Sequence, residues 1–339
     1  MERAARRRQP VLSDVARAAG VSVPTVSRVL TGSTPVTDKT RDKVMAAISE
    51  LGYRPNEAAR ALVRGRQSMV GIITSNTDRF GYAKTIQGIE EAARAARLLV
   101  AITVVDSERD ADIHAAIDLM LGQPLAGVIV LDFDAQGSQA LASLPEGLPI
   151  AAVSSTTLGR DVPRVLFDDR TGAREATDYL LGLGHSTVHY VAVPGSGRPS
   201  GRLEGWRDGL HAAGIAIPEV IETDWSSQSG YQAGVVLAAR PDVTAILCGN
   251  DEIAFGVLKA LQVHGRRVPE DVSVVGFDDH PHGALWTPSL TTMAQDFVKL
   301  GRVAFGLLLG AAGEEVPPVD AGAPVPHLIV RESSAAPQR

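Results

Sequence analysis

Between Ser22 and Arg28 the chain carries a short run of residue types that can contact nucleic acid. Arg28 can donate two hydrogen bonds to guanine O6 and N7, whereas Val23 and Pro24 offer only apolar contact, for example to a thymine methyl group. Hydroxyl groups that suit phosphate oxygens lie among them, on Ser22, Thr25 and Ser27. The run predicts readout of double-stranded DNA, and a helical hairpin that packs against protein is the alternative.

A second group of polar residues follows directly after short apolar runs in the rest of the chain. Their hydroxyl, amide and carboxylate groups can each hydrogen bond a sugar hydroxyl at a fixed geometry, and an aromatic ring such as Trp225 or Phe297 can cover the apolar face of the sugar. Such residues also cap helices or form turns, and we assign Asp251 to a cap and leave Asp168 and Asp169 out of the site. The group comprises Ser75, Asn76, Asp132, Ser154, Ser155, Ser196, Asn250, Asp251, Asp278 and Asp279.

Three helices with short connections are predicted to present the first group. Ser13 is a candidate N-cap for a helix that ends near Ala19, Ser22 caps a helix over 23–30, and Thr37 caps one over 38–51. Gly20 is a candidate left-handed terminator, so the first two helices are joined by a tight turn. This spacing is typical of a helix-turn-helix, whose second helix enters the major groove of DNA.

A short fourth helix is predicted after the helix-turn-helix, where Asn56 can cap residues 57–64. Eight residues are too few for a stable isolated helix in water, so it should form only when DNA and a second copy hold it. Leu62 on this helix would be exposed, and such a leucine can wedge between base steps in the minor groove.

From Met69 onward, short apolar runs alternate with helical stretches. This alternation indicates parallel sheets covered on both faces, and the number of strands predicts two similar subdomains that face each other across a cleft. Because open parallel sheets bind ligands beyond the carboxyl ends of their strands, the second group should line that cleft. The predicted strands are 70–74, 100–105, 127–131, 150–153, 165–167, 188–193, 220–222, 245–248 and 272–277, and the predicted helices are 84–97, 113–122, 171–183, 201–213, 229–239, 252–264 and 297–309.

Charge divides the chain into a basic head and an acidic body. Residues 1–66 carry 13 Lys and Arg against 6 Asp and Glu, which leaves 20 basic and 33 acidic residues in the remainder. This asymmetry suits a nucleic-acid-binding module joined to a body that should not bind phosphate. The basic N-terminus is followed by a helix with charges rather than an apolar signal core, and no run is long enough for a membrane span, so we expect a cytoplasmic protein.

Catalytic and cofactor chemistry is not indicated by any motif in the chain. The single cysteine, Cys248, excludes an intramolecular disulfide, and no nucleophile has an evident base. His280 and His282 beside Asp278 form a conceivable but incomplete metal site. We expect no enzyme, no metal and no cofactor.

The segments LSDVARAAGVSVPTVSRVL (12–30) and LGYRPN (51–56) resemble the lactose repressor (LacI) family, and short motifs continue in the same order through the body. These body motifs are Arg202 before Gly205-Trp206, then Asp224-Trp225-Ser226, Asn250-Asp251, Gly276-Phe277-Asp278-Asp279 and Gln295-Asp296-Phe297. The resemblance implies a periplasmic-binding-protein-like body of two doubly wound parallel-sheet subdomains. It also implies that the all-α head reads bases with Val23, Pro24 and Arg28 and wedges Leu62 into the operator.

The resemblance further implies that a sugar effector contacts Arg202, Asn250 and Asp278 through hydroxyls and packs on Trp225 and Phe297. Ser154 stands where the family pattern has an aspartate, Leu131 where it has an asparagine, and Arg79 and Tyr82 where smaller or apolar residues line the pocket. These departures leave the identity of the sugar open. We include Ser75, Tyr82, Ser154 and Ser196 among the candidate ligand contacts.

The expected organisation is a basic tail over 1–10, a helix-turn-helix domain over 11–54, a hinge helix and linker over 55–67, and a ligand-binding and dimerisation domain over 68–339. The expected function is sequence-specific transcription regulation by a homodimer on a near-palindromic operator. The simplest form is a repressor that leaves its operator when a sugar inducer binds. The alternatives are a corepressor-dependent regulator and a sugar-binding protein without a DNA role.

Overall fold

A computed structural model of the chain describes residues 10–31, 35–53, 68–154, 159–194, 200–314 and 324–338. Its backbone contacts divide the chain into two units, Met1–Ser68 and Met69–Arg339. We call the first unit the head and the second the body. None of the helices in the described ranges is long and apolar enough to cross a membrane.

The described part of the head contains three helices, α1 (Leu12–Ala19), α2 (Val23–Thr31) and α3 (Asp38–Leu51). They enclose a small core around the fully buried side chains of Val15, Val26 and Val44, one from each helix. Gly20 ends α1 with φ of 65°, in the left-handed region that glycine adopts without strain, as predicted.

Of the three helix caps predicted in the head, Thr37 occupies the N-cap position of α3 but makes no side-chain capping hydrogen bond. Ser13 is not the cap of α1, because the helix begins at Leu12 and the Asp14 carboxylate accepts the N–H of Val11 at 3.0 Å in its place. Ser22 does cap α2, accepting the N–H of Thr25 at 3.3 Å. Asn56 and Leu62 lie outside the described residues.

The first subdomain of the body is a five-stranded parallel sheet in the order β2-β1-β3-β4-β5. Separate apolar clusters cover its two faces, as expected for a sheet buried between helices. Its strands are β1 (Met69–Thr74), β2 (Leu99–Val104), β3 (Leu125–Asp132), β4 (Ile150–Ser154) and β5 (Arg164–Leu166), and its helices are α4 (Phe80–Ala95), α5 (Asp110–Leu121) and α6 (Ala135–Ser143).

The second subdomain is a six-stranded sheet in the order β11-β10-β9-β8-β6-β7, in which only β11 runs antiparallel to its neighbour. The fully buried Trp206 lies in one of its two cores and donates its indole N–H to the Val188 carbonyl at 2.9 Å, and Cys248 is also fully buried. Its strands are β6 (His189–Ala192), β7 (Ile221–Glu222), β8 (Ala245–Cys248), β9 (Ser273–Asp278), β10 (Thr291–Ala294) and β11 (His327–Ile329), and its helices are α7 (Asp169–Gly182), α8 (Gly201–Ala212), α9 (Ser227–Ala238), α10 (Asp251–Val263) and the 3₁₀ turn Gly283–Leu285.

The chain passes between the two subdomains three times. It leaves the first after β5 and returns after β10 as α11 (Phe297–Ala311), whose Leu300, Ala304 and Leu308 join the core of the first sheet. It then goes back to the second sheet as β11. The predicted fold class is therefore confirmed, with every predicted strand present; β10, β11 and α6 are additional elements.

Candidate functional site

A buried arginine lies at the carboxyl ends of the strands of the second sheet. Arg202, in the first turn of α8, is 6% exposed, and its guanidinium lies 4.1 Å above the ring of Phe277. Its Nε is 3.2 Å from Oδ1 of Asp169, its Nη2 is 3.1 Å from Oδ1 of Asp278, and its Nη1 donates to the Gly249 carbonyl. We call Arg202, Asp169 and Asp278 the charge cluster.

The charge cluster is nearly closed to solvent. Burial raises the pKa of Asp278 to about 7, against the opposing effect of Arg202, and Asp169 raises it further. Burial alone would lower the pKa of Arg202, but Asp169 and Asp278 hold it above its usual value, so the guanidinium stays charged. The Gln295 side-chain amide donates to Oδ1 of both Asp169 (3.3 Å) and Asp278 (3.2 Å).

Asn250 and Trp225 lie beside each other at the same edge of the sheet. The Asn250 side chain caps α10, accepting the N–H of Ile253 at 2.8 Å, and its amide nitrogen lies 3.5 Å from the Trp225 carbonyl. Trp225 is half-buried and has φ of 75°, a conformation that non-glycine residues adopt at a cost. The predicted cap role of Asp251 is wrong, because Asn250 takes that position.

The carboxyl ends of the first sheet hold hydroxyls that two aspartates already engage. Ser75 and Tyr82 both donate to Oδ2 of Asp134, the tyrosine at 2.6 Å, and Ser154 donates to Asp132 at 2.7 Å. Burial, followed by Asp134, raises the pKa of the Tyr82 phenol, so it stays a hydrogen-bond donor. An incoming ligand can exchange its own hydroxyls into these acceptor positions.

A row of aromatic rings runs beside these polar groups, and we call it the aromatic wall. Its ring centroids are separated by 4.8 Å (Tyr82–Phe133), 5.1 Å (Phe133–Phe167), 5.6 Å (Phe167–Phe297) and 5.9 Å (Phe297–Phe80), all at edge-on angles. Phe297 is 4% exposed, whereas Phe80, Phe133 and Phe167 are half-buried.

Arg79 connects the two subdomains. It precedes α4 of the first subdomain, yet its Nη2 lies 3.3 Å from the Asp224 carbonyl, and its guanidinium lies 5.8 Å from the centroid of the Trp225 ring in the second subdomain. These two contacts bring the start of α4 next to the Asp224-Trp225 turn of the second subdomain.

The structure brings six of the candidate ligand residues together as three pairs. Arg202 touches Asp278 directly, Asn250 touches the backbone of Trp225, and Ser75 and Tyr82 share one aspartate. Ser154 lies with Asp132, Phe297 lies in the aromatic wall, and Ser196 is outside the described residues.

Several residues that contact the predicted ligand residues were not assigned to the site by the sequence analysis, namely Asp169, which it left out, and Gln295, Asp134, Phe80, Phe133 and Phe167. Asp134 follows β3 by two residues, and Phe133 and Phe167 directly follow β3 and β5, so the strand-end rule already pointed to them. His280 and His282 lie with ring centroids 4.6 Å apart, but the described ranges hold no group of three His, Cys, Asp or Glu side chains placed to bind a metal.

In the head, α2 presents its predicted contact residues on one side. Val26 is fully buried in the core, whereas Ser22, Val23, Pro24 and Arg28 are exposed, Val23 by 40%. Thr25 and Ser27 are half-buried at the edge of this face, and the Ser22 and Thr25 hydroxyls lie 2.8 Å apart. This exposed face combines the apolar side chains of Val23 and Pro24 with one guanidinium and several hydroxyl groups, a set of groups that can contact base edges in the major groove of DNA.

Comparison with known proteins gives two family matches. Residues 11–56 match the family described as bacterial regulatory proteins, lacI family, and residues 177–334 match the periplasmic binding protein-like domain. The lactose operon repressor of Escherichia coli (strain K12) is 33% identical over 303 residues, which cover 88% of this chain and 83% of that protein. The transcriptional regulator CelR of Thermobifida fusca is 34% identical over 352 residues, covering 97% of this chain and 99% of that protein.

Two solved structures with similar names also resemble the chain. A crystal structure of the Lac repressor dimer bound to operator and the anti-inducer ONPF has a TM-score of 0.86 at 31% identity, covering 97% of this chain and all of that one. A CelR–cellobiose complex has a TM-score of 0.70 at 32% identity, covering 96% of this chain and 99% of that one.

Proposed function

This chain belongs to the lacI family of bacterial regulatory proteins, and we propose that it is a repressor that binds a near-palindromic operator as a homodimer and releases it when a sugar enters the body. The observation that carries the proposal is the exposed face of α2, in a chain whose body also holds buried polar groups and aromatic rings at the carboxyl ends of its strands. A solute-binding protein needs only the cleft. We infer a cytoplasmic location because the proposed target is DNA.

The DNA contacts divide into readout and positioning. We propose that Arg28 donates to a guanine and that Val23 and Pro24 pack on apolar base edges, while Ser22, Thr25 and Ser27 bond phosphates. Asn56 and Leu62 stay proposed contacts of the hinge. One head reads few base pairs, so two copies on a two-fold operator are needed for useful affinity; the Lac repressor structure is such a dimer on its operator.

The effector class follows from the charges and rings of the cleft. Arg202 is already balanced by two carboxylates, so the charge cluster offers no uncompensated cation to an anionic ligand and instead presents oxygen acceptors to hydroxyl groups. We propose that the half-buried rings of this wall, Phe80, Phe133 and Phe167, pack against the apolar faces of more than one pyranose ring. We therefore propose a neutral sugar of two or more rings, and the cellobiose complex of CelR supports this size.

Two observations bear on catalysis. The buried carboxyl with a pKa near 7, Asp278, is held by Arg202 and Gln295 rather than left free to transfer a proton. The relatives described above are named as regulators. We infer that the cleft binds and does not catalyse.

Control of DNA binding requires the cleft to change the geometry between subdomains. A sugar that contacts both sheets would alter the Arg79 bridge to Asp224 and Trp225, and the three crossover segments would transmit the movement. A coupling free energy of about 1–3 kcal/mol between the two sites is enough for a usable switch. A corepressor would use the same cleft with the opposite sign.

Selection from random-sequence DNA with the full-length chain tests the DNA function directly. We expect enrichment of a two-fold symmetric site, with affinity that falls steeply as salt rises, because lysines and arginines displace counterions from phosphates. A truncated chain that starts at Met69 is the matched control and should not bind. Retention of the selected DNA by that truncated chain would show that the head assignment is wrong.

A further inference from the structure

The turn that follows β9 has an unusual backbone. Asp278 has φ of 112° and Asp279 has φ of 55°, so two consecutive residues with side chains lie in the left-handed half of conformational space. Residues other than glycine adopt such angles only where the surroundings hold them there. Because the direction of a side chain depends on the backbone angles of its residue, this conformation determines where the Asp278 carboxylate points.

Asp251 holds this turn from the start of α10. One carboxylate oxygen, Oδ2, accepts the backbone N–H of His280 at 2.6 Å, and the other, Oδ1, accepts the Thr292 hydroxyl at 2.7 Å. The Thr292 oxygen in turn accepts the N–H of Asp279 at 3.4 Å. The two amides that follow Asp278 are therefore both bound by one buried pair of side chains, Asp251 at 1% and Thr292 at 0% exposure.

Strand β9, which leads into the turn, leaves room for the Asp251 carboxylate at Gly276. A Cβ added to Gly276 would lie well inside van der Waals contact of Oδ1 of Asp251, so only glycine fits beside the carboxylate. On the other side of the turn, Arg331 forms an ion pair of 2.6 Å with Asp279 and donates to the Leu290 carbonyl at 2.8 Å. The turn is thus held from both sides, and Asp251 provides the buried side.

We propose that Asp251, together with Thr292, is a positioning residue of the effector site, which locks the turn so that the Asp278 carboxylate faces Arg202 and the cleft. The proposal rests on the proposed function, since it assumes that Asp278 binds the effector. Both oxygens of Asp251 are engaged within the protein, so Asp251 acts through Asp278 and not by touching the sugar.

Hydrogen–deuterium exchange and sugar titration of the full-length chain test this proposal together. In Asp251→Ala, exchange across residues 278–285 should rise at least about tenfold, and affinity for cellobiose or lactose should fall about 10- to 100-fold, because two hydrogen bonds to a buried carboxyl group are lost. Asp251→Asn keeps one acceptor oxygen and should lose less, about three- to tenfold.

A threonine pair provides the matched control if Asp251→Ala does not fold. Thr292→Val removes the hydroxyl that links Asp251 to Asp279, and should raise exchange in the turn and weaken binding. Thr177→Val removes another fully buried hydroxyl of the same subdomain, which donates to the Ala173 carbonyl at 2.8 Å, and should change neither. A merely structural role for Asp251 would make the two valine variants behave alike.

The outcomes separate this proposal from the proposed function. If wild-type protein binds neither cellobiose nor lactose, the sugar assignment fails, while the exchange measurement still decides whether Asp251 and Thr292 hold the turn. If exchange in the turn stays at the wild-type rate in Asp251→Ala and Thr292→Val, the proposal is overturned. It is also overturned if exchange rises but the affinity of a bound sugar does not change.

Discussion

Replacing Arg202 with methionine tests whether the charge cluster is a compensated unit. Methionine keeps an unbranched chain over Phe277 but removes both ion pairs and the bond to the Gly249 carbonyl. Two carboxylates then face each other in a site where the arginine was 6% exposed. Removing one partner of a buried ion pair costs about 3–5 kcal/mol, because an uncompensated charge stays buried.

The loss of stability in Arg202→Met should also depend on pH. With Arg202 present, burial raises the pKa of Asp278 to about 7, and without the guanidinium that pKa rises further. A carboxyl whose folded-state pKa lies above its unfolded value favours the folded state when protonated, and this contribution is lost as pH rises through the folded pKa. The deficit of the variant should therefore be smaller at pH 5.5 than at pH 8.

Urea unfolding of the full-length chain, followed by circular dichroism at both pH values, measures these effects. Arg240→Met is the control, because its ion pair with Asp242 (3.0 Å) is solvent-exposed and should contribute about 1 kcal/mol or less. A deficit in Arg202→Met below about 1 kcal/mol, or one equal at the two pH values, would refute the account of a compensated buried cluster.

Three further predictions concern effector binding, DNA readout and packing. Affinity for cellobiose should rise between pH 6 and 8, because Asp278, whose pKa is about 7, becomes a charged acceptor for sugar hydroxyls. Asp278→Asn should flatten this pH profile. The same profile in wild type and variant would contradict the assignment of Asp278 as an effector contact. In competition binding, Arg28→Ala should relax discrimination at one base pair by about 1–3 kcal/mol. The control Arg41→Ala alters an exposed residue of α3 and should leave base preference unchanged. Uniform weakening of all DNA sequences by Arg28→Ala would identify a phosphate contact instead. In urea unfolding, Gly88→Ala should destabilise the body by about 1–3 kcal/mol, because its Cβ would collide with a backbone carbonyl of α11. The control Gly182→Ala adds a Cβ that meets no described atom within 4 Å, so its stability should stay within about 1 kcal/mol of wild type.

The sequence indicated most strands because buried parallel strands are continuous apolar runs. β10 was not predicted because two threonines interrupt the apolar run of its four residues, Thr291–Ala294. β11 was not predicted because His327–Ile329 is only three residues long. Helix α6 contains Gly137 and Ser138, which weaken a helical pattern, although the Asp134 carboxylate caps it through the N–H of Gly137 at 2.9 Å. In β11 and α6, packing against the rest of the body holds an element that the local sequence indicates only weakly.

The candidate site was predicted in its residue types but not in its pairings. Neighbouring polar residues compete for one cap, and sequence does not show which one takes it: Asn250 caps α10, so Asp251 is free to hold the next turn. Likewise Asp168 caps α7 through the N–H of Thr171, so Asp169 joins Arg202. Strand ends identify which residues meet at an edge, whereas partners depend on packing between elements far apart in sequence.

The central claim is that one chain couples a sugar in the body to DNA held by the head. The most direct measurement is fluorescence anisotropy of the selected operator bound to full-length protein, titrated with cellobiose at constant salt. We predict release of the operator, with its affinity lowered about 5- to 150-fold at saturating sugar. Tighter operator binding would reverse the proposed sign and indicate a corepressor, and a sugar that binds without changing operator affinity would contradict the coupling itself.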